Sequence, residues 1–359
     1  MTDVRFIDVS GHGAAALEPW EPVVIPARAL TAEADRLAAR PRPANGRRES
    51  VLAHPRARGP GLGLAPGIRV TLSVLAPGER TRPLRHNSTA VGFCIEGGGT
   101  VDVDGTRIEF GRYDVWNHPS FRTYHYENDT DERQVRLTYS NAPVLEHLGV
   151  HIVEDDPDAA TGGNAVEIDA DDERRRSPFG TITLSDVGAL LMPYETLINP
   201  PAVTSKALHW PWADVKAHLD KLDALGDEYV GRRLYLLYNP VTGRTNGTTP
   251  SFFATMTIRP PGIVDRPHRH VSAAINYFFH GRGYSRIAGR RYEWQAGDLM
   301  FTAPGWAIHH HASGEDDHVY ELTVQDQPFH IGAESLLWQE DLARPARVLG
   351  SEPGFETNR

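Results

Sequence analysis

Three histidine positions carry the chemistry this chain could do. His268 and His270 stand at i and i+2 in Pro267-His268-Arg269-His270. In a strand that spacing puts both rings on one face. Further along comes Pro304-Gly305-Trp306-Ala307-Ile308-His309-His310-His311. Within that run His309 and His311 share a face and His310 points away. One histidine of the run, brought beside His268 and His270 by a neighbouring strand, completes a three-nitrogen cap over a metal ion. Such a cap leaves coordination positions open, as a catalytic site requires and a structural site does not.

The elements that must position these residues come from a sequence that repeats itself once. The first copy runs Leu72–Gly78, Arg85-His86, Ala90–Gly99, Val101–Gly105, Gly111–Asp114 and Asn117-His118-Pro119. The second runs Met256–Gly262, Arg269-His270, Ala274–Gly283, Ser285–Gly289, Gly297-Asp298 and Thr302-Ala303-Pro304. The closing segments also match, Arg136–Pro143 answering Glu321–Pro328. Two copies are too few for a solenoid, but each is long enough to close a small β-barrel. Short β-branched and aromatic runs broken by Gly, Pro and Asp predict strands throughout both copies. Val101-Asp102-Val103-Asp104-Gly105 predicts a hairpin with an Asp-Gly turn. Two helices are expected, one over 32–39 capped by Thr31 and one over 212–222. The expected division is an N-terminal extension (1–64), a first barrel (65–153), a linker and helical segment (154–250), a second barrel (251–340) and a tail (341–359), disordered from Gly350. The acidic run from Glu154 to Arg176 reads as a solvated linker.

Composition narrows the class. The chain has 359 residues, 40% of them hydrophobic, with 33 glycines and 27 prolines, which suits many short strands and tight turns. A net charge of −10 gives no electrostatic reason to bind nucleic acid or an anionic membrane. The single cysteine, Cys94, excludes an intramolecular disulfide and fits a reducing compartment; it reads as a packing residue. No segment reaches the apolar length of a spanning helix. A cytoplasmic protein is expected.

Gly262, His268-x-His270, Gly281, Gly297-Asp298, Pro304 and His309 follow the order of the two-part cupin signature. Over residues 65 to 340 the chain resembles the bicupin ring-cleaving dioxygenases that include the gentisate 1,2- and salicylate dioxygenases. Trp210-Pro211-Trp212-Ala213, Tyr238–Gly243, Thr249-Pro250 and Tyr292–Asp298 are similar to segments of that family. The resemblance implies an all-β bicupin, two double-stranded β-helix (jelly-roll) barrels with a few short helices. It implies Fe(II), ahead of zinc, manganese or nickel. It selects His309 as third ligand and places His311 as an acid/base or substrate-orienting histidine. One residue more than usual separates Gly297 from Pro304, suggesting a bulge.

Several positions depart from the family. In the first barrel Leu84 and Tyr124 stand where ligands belong and only His86 survives, so that barrel is expected to be metal-free; His125 is the residue that could still reach inward. Ile275 replaces the glutamate ligand of many cupins, leaving three neutral imidazoles, so the metal keeps its double positive charge and favours an anionic chelating substrate. Asn276 replaces the arginine that helps hold the substrate carboxylate, and Thr257 stands near a family glutamine. Arg259, Arg266 and Arg286 are other sources of positive charge, and Trp306 is a candidate wall of the site. The expectation is O2-dependent cleavage of a small hydroxylated or amino-hydroxylated aromatic ring other than gentisate bound in the usual way, by a homo-oligomer (dimer or tetramer). A metal-dependent isomerase, hydrolase or non-ring dioxygenase is the first alternative, and a non-catalytic ligand-binding bicupin the second.

Overall fold

A computed structural model describes residues 4–157, 180–184, 188–194 and 203–353. Most of the acidic stretch expected as a linker, and the last residues of the tail, lie outside them. Two strands, β1 (Val23–Ile25) and β2 (Arg48–Leu52), flank the helix Ala27–Ala38. The first barrel follows: β3 (Arg69–Leu75), β4 (Leu84–His86), β5 (Ala90–Glu96), β6 (Gly99–Val103), β7 (Thr106–Phe110), β8 (Val115–His118), β9 (Tyr124–Glu127) and β10 (Gln134–Ser140). A short helix, Ala142–His147, leads to β11 (Val153–Asp155). A small hairpin of β12 (Ile182–Thr183) and β13 (Leu190–Leu191) lies between the barrels in sequence. Next come β14 (His209–Trp210), the helix Trp212–Asp223 and β15 (Arg233–Leu236). The second barrel comprises β16 (Phe253–Arg259), β17 (Arg269–His270), β18 (Ala274–His280), β19 (Arg282–Ile287), β20 (Arg290–Gln295), β21 (Leu299–Phe301), β22 (His309–Ser313) and β23 (Val319–Gln325). The helix Gln327–Gly332, β24 (Leu337–Gln339) and β25 (Arg347–Val348) close it.

Each barrel has a six-stranded sheet, ordered β14-β8-β5-β10-β3-β2 in the first and β1-β21-β18-β23-β16-β15 in the second. Their outward faces meet in one apolar core holding Phe93 and Leu137 from the first barrel and Ile275, Tyr277, Phe279 and Leu322 from the second. The rings of Phe93 and Tyr277 meet edge to face at 5.5 Å. Both hairpin tips use the mirror-image turn that suits twisted strands: Asp104 and Gly105 have φ of 47° and 81°, Ala288 and Gly289 the same values.

The repeat is longer than the sequence suggests, and its arms are exchanged. β1 precedes the first barrel in the chain but pairs with β21 of the second; β14 precedes the second barrel but pairs with β8 of the first. The helix behind each arm is capped by an aspartate of that distant barrel. Asp298 Oδ1 accepts the Ala27 N–H at 2.7 Å, and Asp114 Oδ1 accepts the Trp212 N–H at 2.7 Å. The first helix therefore begins at Ala27 and not beyond Thr31, because its cap is tertiary and Thr31 lies inside it.

Other expectations are refined. β21 pairs with β18 in continuous register over Leu299–Phe301, and just before it Gly297 and Asp298 together oppose Phe278, Gly297 N–H on its carbonyl at 2.6 Å and the Asp298 carbonyl on its N–H at 3.0 Å, with Gly297 at φ 90°, which is a β-bulge. A second register shift, between β18 and β23, falls between Phe278 and His280. The start of the acidic run still belongs to the first barrel, with Asp155 and Asp156 about half exposed. Glu154 and Asp155 belong to β11 beside β4, and Glu154, Asp155 and Asp156 pair with Arg85, Arg47 and Arg82. Gly350 to Pro353 are described, with Leu349 N–H bonded to Leu336 and Arg347 to Pro353. Cys94 is a buried free thiol whose burial pushes its pKa up to about 12. No helix among the described residues is long and apolar enough to cross a membrane.

Candidate metal centre

β17 delivers His270 and the residue before it, His268, while β22 opens on His309. His268 and His309 are held together by a two-way backbone bridge, each N–H donating to the other's carbonyl at 3.1 and 2.9 Å. The result is one buried group, His268, His270 and His309, whose ligand atoms lie within 4.8 Å of one another. Each ring has its Nδ1 engaged. Nδ1 donates to the carbonyl of Arg266 (3.1 Å) in His268, of Ser272 (2.9 Å) in His270 and of Ala307 (2.9 Å) in His309. Donation from Nδ1 fixes the tautomer and makes Nε2 the ligand nitrogen. Burial holds the rings neutral, lowering His268 to about 3, His309 to about 4 and His270 well below the ordinary value. Three neutral imidazoles converging from one face fit a divalent cation, which needs deprotonated ligands.

The other expected site residues divide. His311 is buried two residues along β22, its ring centroid 5.9 Å from that of His309 and its Nδ1 2.8 Å from Ser285 Oγ, which also accepts Trp294 Nε1–H at 3.0 Å. His310 faces Tyr284 on the other side of the strand. Thr257 and Asn276 both lie on the interior face of the second barrel. Asn276 is committed to the wall: Nδ2 donates to Thr323 Oγ1 at 2.7 Å and Oδ1 accepts from Thr302 Oγ1 at 2.6 Å. Trp306 is stacked under the Arg269 guanidinium at 4.5 Å. Arg269 leaves β17 on the face opposite His268 and His270, so Trp306 lies outside the interior. Arg259 is fully buried between Asp265 (2.7 Å) and Glu321 (3.0 Å), and Arg266 and Arg286 are exposed.

Two residues of the site had no motif to betray them. Trp338, on β24 opposite His270, stacks on that ring at 4.7 Å and 22°, and its Nε1 donates to Glu340 at 2.5 Å. Arg232, just before β15, reaches Asp265 at 2.7 Å and stays partly exposed. Burial alone would raise Asp265; Arg259 and Arg232 hold it well below the usual carboxylate range.

The first barrel shows the same frame with different side chains. Leu84 pairs with Tyr124 as His268 pairs with His309. His86 keeps the ligand tautomer, with Nδ1 on the Ser88 carbonyl at 3.0 Å, but its Nε2 meets Tyr124 Oη at 2.9 Å. His125 does not reach inward. It alternates with Tyr124 and Tyr126 to the outer face and lies 3.6 Å from Glu127.

Comparison with known proteins agrees with this frame. Residues 71–140 match the cupin domain family and residues 257–329 the AraC-like ligand binding domain family. Gentisate 1,2 dioxygenase 1 of Aquipseudomonas alcaligenes is 24% identical over 247 residues, 68% of this chain and 66% of that protein. The 1-hydroxy-2-naphthoate 1,2-dioxygenase of Nocardioides sp. (strain KP7) is 26% identical over 295 residues, 80% of this chain and 68% of that protein. The chain thus spans about two thirds of the length of these curated relatives. The solved structure of a salicylate 1,2-dioxygenase from Pseudaminobacter salicylatoxidans superposes with a TM-score of 0.72 at 20% identity, covering 93% of both chains. The chain is a bicupin, related in sequence and in fold to ring-cleaving dioxygenases of the gentisate type.

Proposed function

We propose that the second barrel is the active site of an iron(II)-dependent dioxygenase that opens the ring of a hydroxylated or amino-hydroxylated aromatic substrate. The observation that carries this reading is the buried, neutral, single-tautomer triad of His268, His270 and His309. The relatives' names supply the reaction class: the similar proteins are 1,2-dioxygenases acting on gentisate and 1-hydroxy-2-naphthoate. Iron held there would supply a double positive charge for a chelating substrate and a redox centre for O2.

The chain's own residues do the rest. Ser272, beside His270 Nδ1, and the carbonyls of Arg266 and Ala307 hold the imidazoles in place. His311 is positioned to take the phenolic proton as substrate binds, with Ser285 and Trp294 fixing its ring. Trp338 forms an aromatic wall against His270 and excludes water. Asn276 cannot give a charged clamp, and both ends of its amide are engaged. Arg232 is the cation we assign to an anionic substrate group, so the substrate is an aromatic other than gentisate held in the gentisate manner. The test is anaerobic Fe(II) reconstitution followed by oxygen-electrode assay of catechols, hydroquinones, aminophenols and hydroxybenzoates. One O2 consumed per ring opened is expected with a member of that panel. Efficient gentisate cleavage would contradict the substrate assignment, and tight zinc or nickel binding without O2 uptake would contradict the reaction.

A further inference from the structure

The repeat breaks its symmetry at one buried carboxylate. Residues 63–68 and 247–252 make the same turn ahead of their barrels. Leu64 and Ala65 give their N–H groups to the Ile68 carbonyl, as Thr248 and Thr249 do to that of Phe252. Each turn meets the residue that follows the last strand of the other barrel. On one side Asn141 Oδ1 accepts the Thr89 N–H at 2.9 Å, and its Nδ2 donates to Ser251 Oγ at 2.9 Å. On the other side Asp326 Oδ1 accepts the Ala273 N–H at 2.8 Å, but the position answering Ser251 is Gly67. A Cβ added to Gly67 would lie 3.0 Å from Asp326 Oδ2. Where Asn141 has a serine hydroxyl, Oδ2 has bare backbone.

Asp326 is 8% exposed, and its Oδ2 accepts no hydrogen bond from another described residue. The oxygen is not sealed by protein atoms. With Gly67 it opens onto a cavity of about 440 Å³ between the barrels. The walls are apolar, with Trp20, Val144, Phe252, Phe301 and Phe329 among them. The titratable groups of the lining are Asp326, Glu18, His147 and His330, and no lysine or arginine is among the described lining residues. Burial lowers His330, which favours its neutral form, and Glu18 is an exposed residue 3.4 Å from Arg56. None of the three metal ligands lines the space. Burial raises the Asp326 carboxyl to about 7, and a cation beside Oδ2 favours its charged form. A buried carboxylate oxygen without a donor is costly, and the surrounding volume is that of a small-molecule site, about 300–1,000 Å³.

We propose that this inter-barrel cavity binds a primary ammonium carried on an aromatic body, the ammonium on Asp326 Oδ2 and the ring among Trp20, Phe252 and Phe301. An ammonium brings three N–H donors to an oxygen that Gly67 leaves without one. The cavity has apolar walls for the ring and two carboxylates with no basic side chain to oppose the charge. The site is separate from the metal centre and does not depend on the reaction assigned to it.

The test titrates phenethylamine calorimetrically into the full-length protein at pH 8, with and without its metal. One amine per chain is expected in both preparations. Phenethyl alcohol, which keeps the ring and loses the charge, should bind about tenfold more weakly. Asp326→Asn should reduce the amine to the affinity of the alcohol. Val144→Phe, which fills the cavity from a half-buried position, should weaken the amine about tenfold and stays informative if the Asp326→Asn protein fails to fold. Preference for the amine over the alcohol, with the predicted loss in a folded variant, supports the site. No amine binding at millimolar concentration, equal affinity for amine and alcohol, amine affinity unchanged in every folded variant, or loss of binding with the metal overturns it.

Discussion

At the scale of single residues, the decisive feature is that each ligand histidine gives its Nδ1–H to a carbonyl of its own strand or turn. Replacing His270 by Ala removes a ligand outright; metal content measured by plasma emission should fall from near one per chain to background. Ser272→Ala, which leaves the ligands but loosens the His270 ring, should weaken metal binding by roughly 10–100-fold in a chelator competition. His311→Gln should keep the metal and lower turnover by about 10²–10⁴; loss of metal in that variant would make His311 a ligand instead. Much of this was legible in the chain, since His-x-His on a strand and a histidine run after Pro304 are short-range patterns. Trp338 and Arg232 were not. Their importance comes from pairing with β17 and with Asp265, and no local spacing encodes either contact. Trp306 misled for the same reason: proximity in sequence to His309 does not decide on which side of Arg269 it lies.

At the scale of elements, the barrels hold each other's arms. Asp114 and Asp298 each cap a helix from far along the sequence, and an N-cap is worth about 1 kcal/mol. Asp114→Ala and Asp298→Ala should each lower stability by about that much in urea unfolding, and the two effects should add, because the caps are at separate sites. The helix over 212–223 was visible from its apolar spacing. The start of the first helix was not, because its cap is Asp298 and its own flanking residues are Pro26 and Ala27. A second element-level contrast separates the helix starts that follow the barrels. Asn141 accepts from the Thr89 N–H and donates to Ser251, whereas Asp326 accepts from the Ala273 N–H. Burial raises the Asp326 carboxyl to about 7, and His330, 3.7 Å away, is too far to bond it. The folded chain keeps a proton there that the unfolded chain releases, so this group's contribution to stability declines as pH rises from about 4 towards 7. Asp326→Asn should therefore stabilise the protein at pH 8 and gain nothing at pH 4; an equal effect at both would refute the assignment.

At the scale of the whole molecule, one barrel has kept buried histidines for a metal and the other has turned its interior to tyrosine and arginine. The two copies and the hairpin turn of the first were readable because the repeat preserves turn residues such as Asp104-Gly105 and Ala288-Gly289. The exchange of β1 and β14 was not, since a three- or two-residue strand carries no record of its partner. Neutral buried histidines in both barrels set the acid limit of the metal-free fold. His86 and His309 are lowered to about 4, and His118 and His268 to about 3, in each case by burial first. The unfolded chain takes up protons near pH 6.5 that the folded chain refuses until much lower pH, so stability is full above about 6.5 and falls as pH drops through about 4. Urea midpoints of the metal-free protein should be lower at pH 5 than at pH 7.5; equal midpoints would contradict neutral burial. The central claim, that the His268–His270–His309 centre of the second barrel performs O2-dependent ring opening, is tested most directly by oxygen uptake of the Fe(II)-loaded protein beside its His270→Ala variant on the same aromatic panel. The prediction is O2 consumed one-for-one with ring opening in the parent protein and none above background in the variant. Uptake that survives His270→Ala, or a fully loaded parent that consumes no O2 with any member of the panel, would contradict it.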